Sequence, residues 1–290
     1  MRYEDIAEDG RLALHAVPPA VGEVFWRFAM ERGRAQPFLR DPGTIPILTR
    51  LVTEGGDGPL GVRAPLVGHG AFELAHSVGA DGQVDKLLLN VWVDIMGEVA
   101  QVHGPPPSNA GERLFAGRVF AEHVFTRPFA PPGERRVTQL NVPGLEPVPR
   151  ARYDWRRARE IFSLPAGATP LEPVSRDAVA VFGLDHTDSN RHVNSQVYPR
   201  LFREAALRRF ALCGRTTRVL ARLQDTGFRK PFFAGDSAEI VDRAFELDGR
   251  LGAICALFPA GALDAEATHW GDEAELAHVP AHAYGLALFE

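Results

Sequence analysis

Asp188, Asn190 and His192 stand at alternate positions in the run Asp188-Ser-Asn190-Arg-His192-Val-Asn194-Ser-Gln-Val-Tyr198, just before a stretch with helical spacing. A carboxylate serves as a base, an amide both donates and accepts hydrogen bonds, and an imidazole does either according to its tautomer. Gathered where a helix begins, they would hold a water against a carbonyl carbon. The open N–H groups and partial positive charge of the helix start would draw the carbonyl oxygen. Taken singly, Asp and Asn are ordinary capping residues of turns and helices, and Asn194, nearest the helix, reads first as a cap. Their joint spacing with His192, and with Tyr198 in phase, is what singles them out.

The elements that must position this run follow from periodicity. Asp177–Leu184 contains Ala-Val-Ala-Val-Phe, a short strand-like piece. From Val193 to Leu212, Val197, Leu201, Ala205, Leu207, Phe210 and Ala211 fall on one helical stripe, and Gly214 follows as a stop. Pro199 is tolerated only in a first turn, so the helix is expected to begin close to the motif. Thr217–Phe228, Ser237–Leu247, Leu251–Phe258 and Leu276–Phe289 read as strands, with Asp248-Gly249 as a tight turn between the second and third. One helix followed by an antiparallel meander predicts an α+β unit, its sheet curled around the helix.

The first half repeats these signals. Gly227-Phe-Arg229-Lys-Pro231 aligns with Gly61-Val-Arg63-Ala-Pro65, Asp81-Gly82 sits where Asp248-Gly249 sits, and Val21–Met30, with Phe25, Trp26 and Phe28, serves as the equivalent helix although Gly22 weakens it. Sliding Phe28 under Phe202 places Leu14, Ala16 and Pro18 beneath Asp188, Asn190 and His192, and none of the three can do acid/base chemistry. The expected organisation is a degenerate unit at 1–127, a Pro- and Gly-rich linker at 128–173 with a short helical piece at Asp154–Phe162, and an active unit at 174–290.

Bulk properties narrow the function classes. With 45% apolar and 24% charged residues over 290 positions, the composition is that of a globular protein large enough for two cores. A net charge of −5 argues against a general nucleic-acid binder, which needs a basic surface. Cys213 and Cys255 have neither the number nor the spacing of a disulfide framework or a zinc site, and are expected to be reduced and packed. The remaining histidines show no metal-ligand spacing, so no metal or other cofactor is expected. The N-terminus lacks an apolar leader and no run has membrane-spanning length, which gives a cytoplasmic expectation.

The motif, its place before a helix and the doubled layout resemble the hotdog-fold thioesterases, most closely the acyl-ACP thioesterases with two hotdog units in one chain. Their segment of the type Asp-x-Asn-x-His-Val-Asn-Asn-x-x-Tyr is matched by Asp188, Asn190, His192, Val193, Asn194 and Tyr198, with Ser195 replacing the last Asn. Glu204 falls where a family acid is common, and Arg229-x-Pro231…Gly235-Asp236 looks like a strand of single-unit acyl-CoA thioesterases. A further catalytic Glu of the plant-type enzymes is absent, since Pro231 occupies its place; either Asp188 works without it or a neighbour such as Asp225 substitutes.

The resemblance implies a tandem hotdog that hydrolyses an acyl-ACP or acyl-CoA thioester. Asp188 would activate water or act as nucleophile, while Asn190 and His192 would orient the water or donate to the oxyanion with N–H groups near Val193–Ser195. Substrate contacts are expected from Val193, Asn194, Ser195, Tyr198, Phe228 and Arg229. Phe228, Phe232 and Phe233 would line an acyl tunnel between the halves, or else form core. The basic run from Arg200 to Lys230 would meet coenzyme A phosphates or an acidic acyl carrier protein, or else is a solvated helix face. A monomer and a homodimer both fit a chain that already carries two units. Two other readings stand beside this one: a non-catalytic acyl-binding protein, and a hotdog hydratase or dehydratase, whose histidine lies one residue further along.

Overall fold

The computed structural model describes residues 1–27, 43–101, 103–142 and 144–290. It divides into two compact units, Met1–Arg156 and Arg157–Glu290.

In the first unit, β1 (Ile45–Gly55), β2 (Val67–Val78), β3 (Val84–Glu98) and β4 (Arg113–Thr126) form an antiparallel sheet in the order β1-β4-β3-β2. The short β5 (Ala151–Arg152) pairs with β2 in parallel. Alternation along the strands sends Leu89, Val91 and Val93 to one face, opposite His123, Ala121 and Val119 of β4. That face is covered by helical turns at Val21–Trp26, where Phe25 meets Phe72 at 5.4 Å and Trp26 meets His123 edge-on at 5.5 Å. The turns are wound wider than an α-helix, and Gly22 stands within them. Phe28 and Met30, which completed the expected helix, lie outside the described residues.

The opposite face explains why much of the expected linker joins this unit. Asn90 and Glu122 lie across from each other on β3 and β4, and Glu122 is 1% exposed. One of its carboxylate oxygens accepts Thr49 Oγ1–H at 2.6 Å and Trp155 Nε1–H at 3.1 Å, and burial pushes its carboxyl above the usual range. The 150–156 segment is thereby fastened to β4, so the stretch expected at 128–173 contributes to both units.

In the second unit, β6 (Thr169–Pro170) pairs with the third of five main strands, which are β7 (Val174–Val181), β8 (Ala221–Phe228), β9 (Ser237–Leu247), β10 (Arg250–Pro259) and β12 (Ala283–Phe289), with the two-residue β11 (His269–Trp270) at the edge. Their order is β11-β7-β9-β10-β12-β8, every pairing antiparallel. The β9–β10 turn is the expected Asp248-Gly249, both with positive φ (51° and 75°), which matches strand twist in a two-residue hairpin. The final strand is shorter than expected: Leu276 is buried in the loop that precedes it.

Helix α1 (Val197–Leu212) packs on this sheet through Tyr198, Phe202, Ala205, Ala206, Arg209 and Phe210. A Cβ on Gly285 of β12 would lie 2.3 Å from the Phe202 ring, so only glycine lets helix and sheet approach here. Arg209 is 5% exposed and bonds Asp242, itself 0% exposed, with Glu172 close by. Desolvation draws the Asp242 carboxyl up to about 7.

The two sheets share a strand order. In the first unit the second, third, fourth and first strands lie side by side, and in the second unit β9-β10-β12-β8 do the same, each set preceded in sequence by helical turns. The unit 2 edge position beside β9 is held by β7, and the corresponding place beside β2 by the parallel β5. Among the described residues no helix is long and apolar enough to cross a membrane.

Candidate active site

The motif folds as a tight reversal. Arg191 N–H donates to the Asp188 carbonyl at 2.9 Å and Asp188 N–H to the His192 carbonyl at 3.0 Å, while Thr187 and Val193 form the next rung. Residues opposite each other on an antiparallel ladder project to the same side. Asp188 and His192 therefore stand next to each other, on the side away from Val193, which is buried at 4% exposure. Arg191 makes the reversal with φ +63°, a left-handed conformation uncommon for a residue with a Cβ.

The reversal is anchored to the core on two sides. Val193 N–H donates to the Phe232 carbonyl at 2.8 Å, and Phe232 N–H donates to the Tyr198 hydroxyl at 3.1 Å. Phe232 is 1% exposed and packs on Phe182 at 4.9 Å, so it belongs to the core. Phe233 is 46% exposed and meets the His192 ring edge-on at 5.2 Å, and Phe228 meets the Tyr198 ring at 5.5 Å. The three phenylalanines expected to act together thus separate into one core residue and two that flank the motif.

Asp188 is half-buried and its Oδ1 accepts Asn190 N–H at 2.8 Å, while Asn190 and His192 are exposed. The Asp188 carboxylate also bears on the Tyr198 hydroxyl, whose pKa is raised first by burial and then by Asp188 and Asp236. The side chains of Asp188, Asn190 and His192 share one turn, and no hydrogen bond joins one of these side chains to another among the described residues.

Two expectations for the oxyanion donors change. The helix begins at Val197 rather than at Val193, because Asn194 closes its start: Asn194 Oδ1 accepts Gln196 N–H at 2.9 Å, and its carbonyl accepts Val197 N–H at 3.0 Å. Val193 N–H is bound to Phe232, and Asn194 N–H donates to the His186 carbonyl at 2.8 Å. Of the Val193–Ser195 amides, the half-buried Ser195 alone keeps an N–H outside these bonds.

Other expected residues are placed as follows. Arg229 Nη1 donates to the Ala281 carbonyl at 2.9 Å, clamping the loop before β12. Glu204 is exposed and pairs with Arg200 at 3.4 Å. Most of the basic run is matched by acids of its own unit, with Arg208 on Asp177, Arg209 on Asp242, Arg215 on Glu246 and Arg222 on Glu290. Asp225 cannot stand in for the absent Glu: its neighbours Gln224 and Thr226 pair with Ala287 and Gly285 on the α1 face, so Asp225 lies on the other. Asp236, named in the sequence only as the end of the Arg229-x-Pro231…Gly235-Asp236 stretch and given no role at the site, accepts Phe233 N–H at 2.8 Å and acts on Tyr198. Cys255 is buried and Cys213 half-buried, both free; burial pushes the Cys213 thiol up to about 11.

No protein-family profile matches the chain. No curated protein matches it in sequence either. Among solved structures, an acyl-ACP thioesterase from Bacteroides thetaiotaomicron aligns over 100% of this chain and 94% of its own, with a TM-score of 0.57 at 15% identity. The 12:0-ACP thioesterase from Umbellularia californica aligns over 100% of this chain and 91% of its own, with a TM-score of 0.54 at 11% identity. Identities this low speak for fold. The chain has the hotdog-type fold of the acyl-ACP thioesterases.

Proposed function

We propose that this protein hydrolyses acyl thioesters carried on acyl carrier protein or coenzyme A. In this reading it is a tandem of two hotdog units, with the chemistry in the second and the first kept as a degenerate copy. The shared strand order supports the tandem. The absence of acid/base side chains at Leu14, Ala16 and Pro18 supports the division of labour, Leu14 being a buried core residue at 7% exposure.

The observation that carries the reading is the pairing of Asp188 with His192 across a reversal seated at the start of α1. Asp188 Oδ2 takes a proton from water, and the hydroxide oxygen bonds to the thioester carbonyl carbon. The oxyanion so formed is held by Ser195 N–H and by Asn190 or His192, which are exposed and able to swing onto a bound ligand. Collapse breaks the carbon–sulfur bond, and the thiolate leaves with the proton from Asp188, giving a carboxylic acid and a thiol. Thioesters are electrophilic enough for this to proceed with a base and oriented donors.

A second reading, an acyl-binding protein without turnover, is favoured by one feature: two of the expected oxyanion amides and one Asp188 oxygen are already hydrogen-bonded within the loop. Thiol release from acyl-ACP and acyl-CoA substrates by folded protein decides between them. Turnover that tracks protein concentration is expected. Binding of acyl chains with no thiol released would leave the second reading, and hydration of an enoyl thioester in place of thiol release would assign the hydratase chemistry.

A further inference from the structure

Helix α1 carries four arginines, and three have a carboxylate partner: Arg200 with Glu204 at 3.4 Å, Arg208 with Asp177 at 2.6 Å, and Arg209 with Asp242 at 2.8 Å. Arg203 has none among the described residues. The charges that act on it are those of Glu204 and Arg200, next to it on the same helix and paired with each other. Arg200 and Arg208 are exposed, whereas Arg203 is half-buried, and its burial draws the guanidinium down to about 10.

The surroundings sharpen the anomaly. At the angular step of an α-helix, Arg203 lies at the edge of the buried face, with Pro199, Ala206 and Phe210, all buried, on one flank and the part-exposed Leu207 and exposed Arg200 on the other. A half-buried cation thus borders the apolar face in the second turn of a helix, toward the positive end of the macrodipole. Both desolvation and the dipole disfavour it there without an anion. Helical side chains lean toward the helix N-terminus, so the guanidinium is carried toward the turn that starts beside the motif, which lies about 7.5 Å along the axis at five residues of about 1.5 Å each.

We propose that Arg203 anchors a carboxylate-binding site for the acyl moiety. The inference rests on the thioesterase reading for the identity of the ligand. A half-buried guanidinium at the edge of the apolar face of a helix suits a slender amphiphile, whereas the acidic surface of a carrier protein would meet the exposed arginines first. The carboxylate has two sources: the acid group released by hydrolysis, or a distal carboxyl on a dicarboxylic acyl chain.

The test is calorimetric titration of the full chain with dodecanoate and with dodecanol, below their aggregation limits. Wild type is expected to bind dodecanoate at least about tenfold tighter, the scale of one charge-assisted hydrogen-bonded contact. Arg203→Met should erase that preference while leaving dodecanol binding unchanged, and Arg203→Lys should restore part of it. A preference that survives in Arg203→Met overturns the proposal. So does a loss of coenzyme A affinity with dodecanoate affinity intact, which would assign the residue to phosphate. The unliganded Arg203→Met protein should melt at or above the wild-type temperature; a fall of many degrees would show a structural cation and also overturn it. For the source, competitive inhibition by dodecanoate that disappears in Arg203→Met identifies the released acid, and a kcat/KM advantage of the dodecanedioic monothioester over dodecanoyl-CoA that disappears identifies the distal group. Because the titration needs no turnover, a protein that binds dodecanoate through Arg203 yet hydrolyses nothing supports this site while removing the thioesterase reading.

Discussion

Replacing Asp188 by Asn separates a catalytic carboxylate from a structural one. In the structure Asp188 Oδ1 accepts Asn190 N–H at 2.8 Å, and an asparagine Oδ1 accepts the same bond, so the reversal that places His192 keeps its geometry. The lost quantity is basicity. A positioned general base contributes roughly 10²–10⁴ in rate, equivalent to about 3–5 kcal/mol of barrier. Asp188→Asn should therefore lower kcat by that factor while KM and the melting temperature stay near wild type. Asp188→Ala loses both functions: the same fall in kcat, and about 1 kcal/mol or less of stability from the missing turn bond at a half-buried site. Steady-state kinetics and thermal melts on both variants give the comparison. If Asp188→Asn turned over within about threefold of wild type while Asp188→Ala was impaired, the carboxylate would be a cap and the assignment of the base would be wrong.

Two further predictions concern the folded state. His123 is 5% exposed beside Trp26, and burial holds its pKa down to about 4 against an ordinary 6.5; the unfolded chain binds the extra proton between those values, so stability is full above pH 6.5 and is lost as pH falls toward 4. That lowering corresponds to about 3 kcal/mol, and His123→Leu should flatten that limb of a stability–pH profile measured by denaturant unfolding; an unchanged limb would refute the buried neutral imidazole. At the reversal, Arg191→Gly should melt higher than wild type, by up to the roughly 1–2 kcal/mol that a residue with a Cβ loses at φ +63°, whereas the β-branched Arg191→Val should melt lower than wild type and lose much of the turnover, equal melting of the two being the contrary result.

Strands of the second unit were readable where each carries its own signal, as the match of Ser237–Leu247 to the observed β9 and of Asp248-Gly249 to its turn shows, whereas the expected Thr217–Phe228 and Leu276–Phe289 begin too early, the strands starting at Ala221 and Ala283. What depends on long-range pairing was not readable. The Glu122 hydrogen bonds join residues 49, 122 and 155, brought together only by the β1–β4 register and the β5 pairing. That Arg203 lacks a carboxylate partner while Arg208 and Arg209 have one depends on where Asp177, Asp242 and Glu172 reach the helix from other elements. The face taken by Asp225 was decidable from strand parity once Gly285 was known to lie under Phe202, a contact no spacing reveals.

The candidate site shows the same division at finer grain. The types and spacing of Asp188, Asn190 and His192 are plain in the sequence, and helical reasoning then placed all three, together with the Val193–Ser195 amides, at an open helix end. Asn194 takes the helix start for itself, and the three residues before it turn back on Asp188. The reversal depends on a left-handed residue, and here that residue is Arg191, whose side chain gives no hint of it. A glycine at 191 would have signalled the turn, and with it the juxtaposition of acid and imidazole on the rung next to Val193. That the chain keeps an arginine in so unfavourable a conformation means the bonds on either side, Asp188 to His192 and Val193 to Phe232, hold the reversal against its own backbone preference, so that the backbone carrying the half-buried carboxylate and the exposed imidazole is set before any ligand arrives.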